Sequence, residues 1–220
     1  MAFWKNKRVV GIVGGIACGK STITSYLKKI GAVVLDADWI SHQVLMSPFV
    51  LEKIRVRWGL IPSVNVAGEK EFRSKIAKIV FKSSEDLLFL ENLLHPIVRQ
   101  RIGEAILANG NGIIILDAPL LFEADCAKFC DEVWFVNMPW GERLHNFSNR
   151  YNGKKMSEIR KDFMAREGRQ MPLAEKMKRS DFVIRNSFGF LYETLEDVAA
   201  RFNKIKNELF QEYQGSSVVI

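Results

Sequence analysis

The sequence of 220 residues predicts a three-layer α/β/α fold, in which helices cover both faces of a five-stranded parallel sheet. Three observations indicate this class. Apolar runs of strand length recur along the chain, helical patterns separate them, and the first run leads through a glycine-rich turn into a helix. The predicted strands cover residues 9–13, 32–35, 113–116, 133–136 and 182–184. Such alternation is typical of one α/β unit, here with insertions.

The glycine-rich turn matches a phosphate-binding pattern. Residues 14–21, Gly-Gly-Ile-Ala-Cys-Gly-Lys-Ser, fit G-x-x-x-x-G-K-[ST] at every defined position. Backbone N–H groups and the positive end of the following helix hold phosphates in such a loop. We expect Lys20 to reach the β- and γ-phosphates and the Ser21 hydroxyl to ligate Mg²⁺. An ordinary strand-to-helix turn is the less favoured alternative. The predicted ATP contacts are Gly15, Ile16, Ala17, Cys18, Gly19, Lys20, Ser21 and Thr22.

Carboxylates follow two of the predicted strands. Asp36 and Asp38 come after the second strand, and Asp117 follows the apolar run 113–116. Ligands of open α/β sheets bind at the carboxyl ends of the strands, so these side chains can approach Mg²⁺ or an acceptor hydroxyl. Asp117 has the form of a Walker B carboxylate and is predicted to hold the Mg²⁺ shell. The alternative for one residue of the pair Asp36 and Asp38 is to cap the next helix.

Two segments interrupt the strand pattern and predict the domain layout. Residues 39–109 carry only helical patterns, which suits an insertion that binds an acceptor substrate. A break is expected at Leu94-His95-Pro96, because proline disfavours helix at the residue before it. Residues 142–180 contain two polar, basic helices and are predicted to form a lid. The remaining core is predicted to consist of residues 1–38, 110–141 and 181–220, and to end in a helix over 191–209.

The formal net charge of +7 raises the possibility of nucleic-acid binding. Residues 142–185 hold twelve Lys or Arg and six Asp or Glu, which is nearly the whole excess. In a chain that binds a triphosphate, we interpret this segment as a phosphate-handling surface and expect no nucleic-acid partner. No apolar run approaches the roughly 20 residues of a membrane helix, and no signal segment is recognised, so a cytoplasmic protein without a membrane partner is expected.

The three cysteines predict neither a disulfide framework nor a zinc site. Their number is odd, and Cys126 and Cys130 lack a second pair of ligands nearby. Cys18 lies inside the predicted anion site, where positive potential could activate a thiol. The favoured interpretation is that Cys18 fills a position for a small residue.

Five motifs together resemble the dephospho-CoA kinase family. They are Gly14-Gly15-Ile16, Asp36-Ala37-Asp38, Leu94-His95-Pro96, the segment 117–123 (Asp-Ala-Pro-Leu-Leu-Phe-Glu) and the segment 181–186. The resemblance spans roughly residues 9–186. It implies ATP-dependent phosphorylation of the ribose 3′-hydroxyl of dephospho-CoA, the last step of coenzyme A synthesis. It also implies a P-loop kinase core, a helical CoA-binding insertion at 39–109 and a lid at 142–180.

The resemblance also implies roles for single residues. Asp38 matches the general base, Lys20 the γ-phosphate contact, and Arg143 the arginine that opens the lid helix. Asp36 and Asp117 fall where Mg²⁺ and acceptor positioning are expected. His95 and Glu123 match motif positions on the substrate side, and Asn186 matches one on the nucleotide side. Which of Arg150, Arg166 and Arg169 reaches the phosphates stays open.

The sequence departs from the family pattern in three places. Ala17-Cys18 replaces the usual Gly-Ser pair, Arg185 stands where Asp is common before Asn186, and the lid from His145 to Lys155 is a few residues longer. Three other functions remain as alternatives. They are a kinase for another small acceptor such as a nucleoside monophosphate or shikimate, a nucleotide-dependent switch protein, and a nucleic-acid binder. The oligomeric state is left open.

Overall fold

The computed structural model describes residues 4, 6–62, 66–151 and 153–215. Its five strands are β1 (Lys7–Gly14), β2 (Val33–Asp36), β3 (Gly112–Asp117), β4 (Glu132–Asn137) and β5 (Phe182–Arg185). All pairings are parallel, in the order β2-β3-β1-β4-β5. The predicted fold class is confirmed, and each strand lies within one or two residues of the predicted run.

The central position of β1 follows from its composition. Val9, Val10, Ile12 and Val13 are at most 1% exposed, so both faces of the strand are covered. Continuous β-branched runs of this kind are typical of strands buried between two helical layers. The register pairs Gly14 of β1 with Val136 of β4 and Asp36 of β2 with Asp117 of β3. The carboxyl ends of β2 and β3 are therefore level with each other.

Nine helices are described, together with one short 3₁₀ turn at Ala127–Phe129. They are α1 (Lys20–Lys29), α2 (Ala37–Leu45), α3 (Pro48–Trp58), α4 (Val66–Val80), α5 (Ser84–Ala108), α6 (Trp140–Ser148), α7 (Met156–Glu167), α8 (Leu173–Lys178) and α9 (Leu191–Gly215). None of these described helices is both long enough and apolar enough to cross a bilayer.

The main core lies between the sheet and two helices. Ile23 and Leu27 of α1 and Val198, Phe202 and Ile205 of α9 pack against alternate residues of the strands. These α9 residues are spaced four and three apart, which places them on one face of the helix. The helix α8 packs beside β1 and β4. Burial of apolar stripes thus fixes both α1 and α9 on the sheet.

The described residues form two compact units, drawn from Met1–Asp36 with Ala105–Ile220 and from Ala37–Glu104. The second unit contains α2, α3, α4 and most of α5. Within it, the Trp58 ring packs edge-on against Phe89, and the Trp58 indole N–H donates to Asp86 at 3.0 Å. Arg57 also bonds Asp86, so the end of α3 is tied to the start of α5.

The predicted helix break at Leu94-His95-Pro96 is wrong, because α5 runs without interruption through Pro96. Proline removes one backbone hydrogen bond, and a helix of 25 residues keeps the others. The helix carries its buried residues after this point, with Val98 and Ile102 at 7% and 0% exposed. Tertiary packing therefore outweighs the local preference of the residue before proline.

Two further elements differ from the sequence expectation. Helix α8 was not predicted, because six residues are too few to show a periodic pattern. The signal that was available is Pro172, which stands at the N-cap with a φ of −51°. The composition of residues 59–68, which include Pro62 and Asn65, predicts a loop, whereas α4 already begins at Val66. Asn65 itself, and Asn152 of the turn predicted at Asn152-Gly153, lie outside the described residues.

The three cysteines are free thiols, in agreement with the expectation of no disulfide framework. Cys18 and Cys126 are 1% and 2% exposed. Burial raises the pKa of the Cys18 thiol above its usual value, and this outweighs the opposing effects of Lys20 and Arg143. Burial raises the pKa of the Cys130 thiol as well. A protonated, buried Cys18 supports its interpretation as a small core residue rather than a reactive thiol.

The substitution Gly11→Ala tests the packing of β1. A Cβ at Gly11 would lie 2.7 Å from Cδ2 of the fully buried Leu121 and 2.8 Å from Cys130 Sγ. We expect urea denaturation to show a free energy of unfolding lower by roughly 1–3 kcal/mol, as for other overpacked cores. The matched control is Gly110→Ala, where nothing lies within 4 Å of the new Cβ. Equal unfolding midpoints for the two variants would contradict this account.

Candidate nucleotide site

The loop between β1 and α1 is held by the side chains of two asparagines. Asn146 Nδ2 in α6 donates to Ala17 O at 3.2 Å, and Asn186 Nδ2 after β5 donates to Cys18 O at 2.9 Å. Both carbonyl groups are thereby fixed in orientation. In the described structure, the N–H groups of Ile16, Ala17 and Gly19 donate to no protein acceptor. These N–H groups are free to bind an anion.

The backbone conformation of the loop explains part of its composition. Gly19 has a φ of 88°, and a Cβ there would lie 2.3 Å from Asn186 Nδ2. Only glycine fits this position. Ala17 has a φ of 58°, the left-handed region that favours glycine. The replacement of a usual glycine by Ala17 therefore carries some backbone strain, while the Ala17 N–H stays available to a ligand.

Lys20 opens α1 and forms an ion pair with Asp117 at the end of β3. Their side chains are 15% and 17% exposed. Asp36 is the register partner of Asp117 and is exposed, and the exposed Ser21 follows Lys20 in the first turn of α1. The structure thus brings together four of the predicted residues, Lys20, Ser21, Asp36 and Asp117, within the first unit.

The donor set at this end of the sheet fits a magnesium ion. Ser21 and Asp117 offer one hydroxyl and one carboxylate, and Mg²⁺ is commonly held by one or two carboxylates together with phosphate oxygens and water. Among the residues that the structure describes, no group of three His, Cys, Asp or Glu could hold a metal on its own. The residues therefore suit a metal that arrives with a nucleotide.

A cavity of about 540 Å³ opens over the loop. Residues 14–22 line one side, and the rest of the lining comes from Pro119, Asn146, Asn149, Arg150 and Gln170. Of the three lid arginines that the sequence left open, Arg150 is the one that lines this cavity. Its side chain is exposed, so its guanidinium group can contact a ligand in the cavity.

Arg143 lies against Gly15 of the loop and is not part of the cavity lining. Its side chain is 4% exposed, and its Nη1 donates to Glu167 Oε1 at 2.5 Å. Its Nε donates to Met138 O at 3.2 Å, and a Cβ at Gly15 would lie 2.6 Å from Nη1. The guanidinium therefore connects α7 to Met138 after β4 and packs closely on Gly15. Its predicted contact with phosphate stays a prediction.

The helices α6 and α7, which lie in the segment predicted to be a lid, share a small core with the loop. Phe147, Ile159 and Phe163 are at most 4% exposed, and Ile16 and Ala17 pack against them. The loop is therefore sandwiched between the main sheet and the segment predicted to be a lid. An anion bound by the loop N–H groups would lie next to α6 and the residues that follow it.

Glu123 ends the segment 117–123 and binds α8. Its Oε1 accepts the Met171 N–H at 2.8 Å and pairs with Lys176 Nζ at 3.0 Å, while its Oε2 is buried without a hydrogen-bond partner in the described structure. Asn186 is 5% exposed, and its Nδ2 donates to Cys18 O in the loop. The substrate contact predicted for Glu123 and the ATP contact predicted for Asn186 stay predictions.

Two predicted site residues belong to the second unit. Asp38 is exposed in the first turn of α2, two residues after β2 ends. His95 is half-buried within α5. Their predicted roles as general base and substrate contact stay predictions.

Sequence reasoning missed four residues that build the site, namely Asn146, Asn149, Gln170 and Lys176. The first three line the cavity, and Lys176 is completely buried behind it. No motif singles them out. The only signal in the sequence is that Gln170 and Lys176 lie on either side of Pro172, which stands at the start of helix α8.

Comparison with known proteins agrees with these features. The family model described as dephospho-CoA kinase matches residues 8–191. A dephospho-CoA kinase from Carboxydothermus hydrogenoformans is 36% identical over 202 residues, which cover 90% of this chain and 94% of the relative. One from Geobacillus kaustophilus is 35% identical over 195 residues, which cover 87% and 93%.

A solved structure shows the same architecture. The crystal structure of TT1252 from Thermus thermophilus superposes with a TM-score of 0.73 at 29% identity, and covers 90% of this chain and 97% of that chain. The family model spans most of the sequence, and the two relatives match over nearly their whole length. This chain belongs to the dephospho-CoA kinase family.

Proposed function

We propose that this protein transfers the γ-phosphate of ATP to the ribose 3′-hydroxyl of dephospho-CoA, which yields coenzyme A. The observation that carries the proposal is the family match over residues 8–191, which includes the phosphate loop, both acidic strand ends and the lid. The geometry supports the nucleotide half of the reaction. An anion site of free N–H groups lies beside Lys20, Asp117 and Arg150.

Phosphoryl transfer depends mainly on positioning and on neutralising negative charge. The N–H groups of the loop hold the β-phosphate, and Lys20 exchanges part of its contact with Asp117 for the γ-phosphate. Arg150 reaches the transferring group from the lid side of the cavity. Mg²⁺, held by Ser21, Asp117 and phosphate oxygens, would supply further charge neutralisation. Asp38 accepts the proton of the 3′-hydroxyl, and Asp36, His95 and Glu123 serve the acceptor side.

The experiment that tests the proposal is ADP release from Mg-ATP with a panel of acceptors. Dephospho-CoA, AMP, CMP, adenosine and shikimate are compared, and the product is weighed by mass spectrometry. We expect stimulation by dephospho-CoA alone, with a product one phosphate heavier. Stimulation by another acceptor would favour a different small-molecule kinase. Turnover that no acceptor stimulates would favour a nucleotide switch. A cytoplasmic location remains our expectation.

Asp38→Asn tests the general base. The amide keeps the size of the side chain and cannot accept a proton, so we expect an intact fold, unchanged ATP affinity and a kcat lower by about 10²- to 10⁴-fold. Steady-state kinetics and calorimetric titration with ATP measure the two quantities. A kcat equal to that of the unchanged protein would remove Asp38 from this role.

Arg150→Ala tests which lid arginine serves the phosphates. We expect kcat to fall by about 10³-fold, the lower end of the effect of arginines that stabilise phosphoryl transfer. The unfolding midpoint should change little, because Arg150 is exposed. The matched control is Arg160→Ala, since Arg160 is an exposed lid arginine that stacks over Trp140 away from the cavity lining. Equal kcat values for the two variants would contradict the role of Arg150.

A further inference from the structure

Lys176 is a charged side chain with no exposure at all, on helix α8. Lysines are almost never fully buried unless they are paired. Here Nζ donates to Pro119 O at 2.7 Å and to Gln170 Oε1 at 3.3 Å, and it pairs with Glu123 Oε1 at 3.0 Å. An ammonium group has three N–H donors. The three acceptors saturate them, and the Glu123 carboxylate compensates the charge.

This arrangement fixes the orientation of the Gln170 amide. An ammonium group only donates, so Gln170 must present its carbonyl oxygen Oε1 to Lys176. The two N–H donors of Nε2 then point away from Lys176. Among the described residues, Gln170 Nε2 has no acceptor. Gln170 lines the cavity over the phosphate loop.

The backbone around Gln170 is also anchored. The neighbouring Met171 N–H donates to the same Glu123 oxygen at 2.8 Å, and the Gln170 N–H donates to Glu167 O at 3.1 Å. A side chain held at its backbone and at its carbonyl oxygen loses little further entropy when its N–H groups bind a ligand. Gln170 is therefore preorganised as a donor.

The chemistry of the cavity selects the ligand group. Its other polar members include the loop N–H groups, Lys20 and Arg150, which only donate, and hydroxyl and amide side chains that can donate as well as accept, namely Ser21, Thr22, Asn146 and Asn149. The carbonyl of Pro119, which also lines the cavity, is already used by Lys176. A set of converging donors of this kind fits a polyanion.

We propose that Gln170 donates from Nε2 to a phosphate oxygen of the nucleotide held in the loop, and that Lys176 is a positioning residue that orients Gln170. The proposal rests on the proposed function only in that a nucleoside triphosphate binds the loop. It does not depend on the identity of the acceptor substrate, so nucleotide binding tests it separately.

The first test compares two substitutions by calorimetric titration with ATP. Gln170→Glu keeps the shape and an oxygen for Lys176, but replaces the Nε2 donors with a charged acceptor. We expect the Kd for ATP to rise by about tenfold or more, because hydrogen bonds to charged groups are the stronger class. Gln170→Met removes the donors without adding charge, so we expect a smaller rise. The charge control is Gln211→Glu on the exposed surface of α9, which should leave the Kd unchanged.

The same titrations with inorganic tripolyphosphate identify the part of the nucleotide involved. We expect both Gln170 variants to lose affinity for tripolyphosphate in parallel with ATP. Loss for ATP alone would place the contact on the nucleoside and overturn the phosphate assignment. Unchanged affinities for both probes would overturn the proposal altogether, as would failure of the unchanged protein to bind tripolyphosphate. Normal ATP binding without dephospho-CoA turnover would instead overturn the proposed function and leave this inference standing.

The second test separates positioning from stability. The single substitution Lys176→Met would leave the buried charge of Glu123 without a partner. The comparison therefore uses a pair of substitutions in one protein, Lys176→Met with Glu123→Gln, which removes both charges. If Lys176 positions Gln170, this pair has a raised Kd for ATP, and adding Gln170→Met raises the Kd no further. An ATP affinity equal to that of the unchanged protein would overturn the positioning role, whatever the urea midpoint. If the pair does not fold, the two Gln170 variants still decide the contact.

Discussion

The geometry of the phosphate loop depends on where its carbonyl groups point. Two amide side chains, Asn146 and Asn186, donate to the carbonyls of Ala17 and Cys18. The N–H groups of Ile16, Ala17 and Gly19 have no acceptor in the described structure, so an anion can bind several of them. Asn146 belongs to helix α6 and Asn186 follows the edge strand β5. A loop that is local in sequence is thus shaped by residues more than a hundred positions away.

The basic residues of segment 142–185 are of two kinds, buried ones that stabilise the fold and exposed ones that can contact a ligand. Arg143 and Lys176 are buried, and each is compensated by a glutamate, Glu167 and Glu123 respectively. Burial of an ion is costly unless a partner and hydrogen bonds satisfy it, and both conditions are met here. Because Glu123 lies outside residues 142–185, the positive excess of this segment overstates by one the charge available to a nucleotide. Arg150 is the arginine of this segment that lines the cavity.

The strands and the phosphate loop could be predicted from the sequence, because each follows from a local residue pattern. The position of Asp36 and Asp117 at one edge of the sheet could also be predicted, because the carboxyl ends of parallel strands share that edge. The predicted helix break at Pro96 was wrong, because packing along α5 outweighs the local preference of the residue before proline. Helix α8 was missed, because six residues are too few to show a helical period. The sequence also could not show that Arg150 lines the cavity while Arg143 is buried. Both are basic residues near the same helix, and only tertiary contacts decide which one is buried.

The strand order has a consequence for the sequence of events during folding. The central strand β1 is made first, but its partners β3 and β4 begin at Gly112 and Glu132. On a ribosome, β1 must therefore wait for more than a hundred residues before it can pair, and closing so large a loop costs entropy. Contacts of the unit Ala37–Glu104 lie close together in the chain and are available earlier. Until β3 emerges, the apolar β1 is an unpaired strand and is exposed to aggregation.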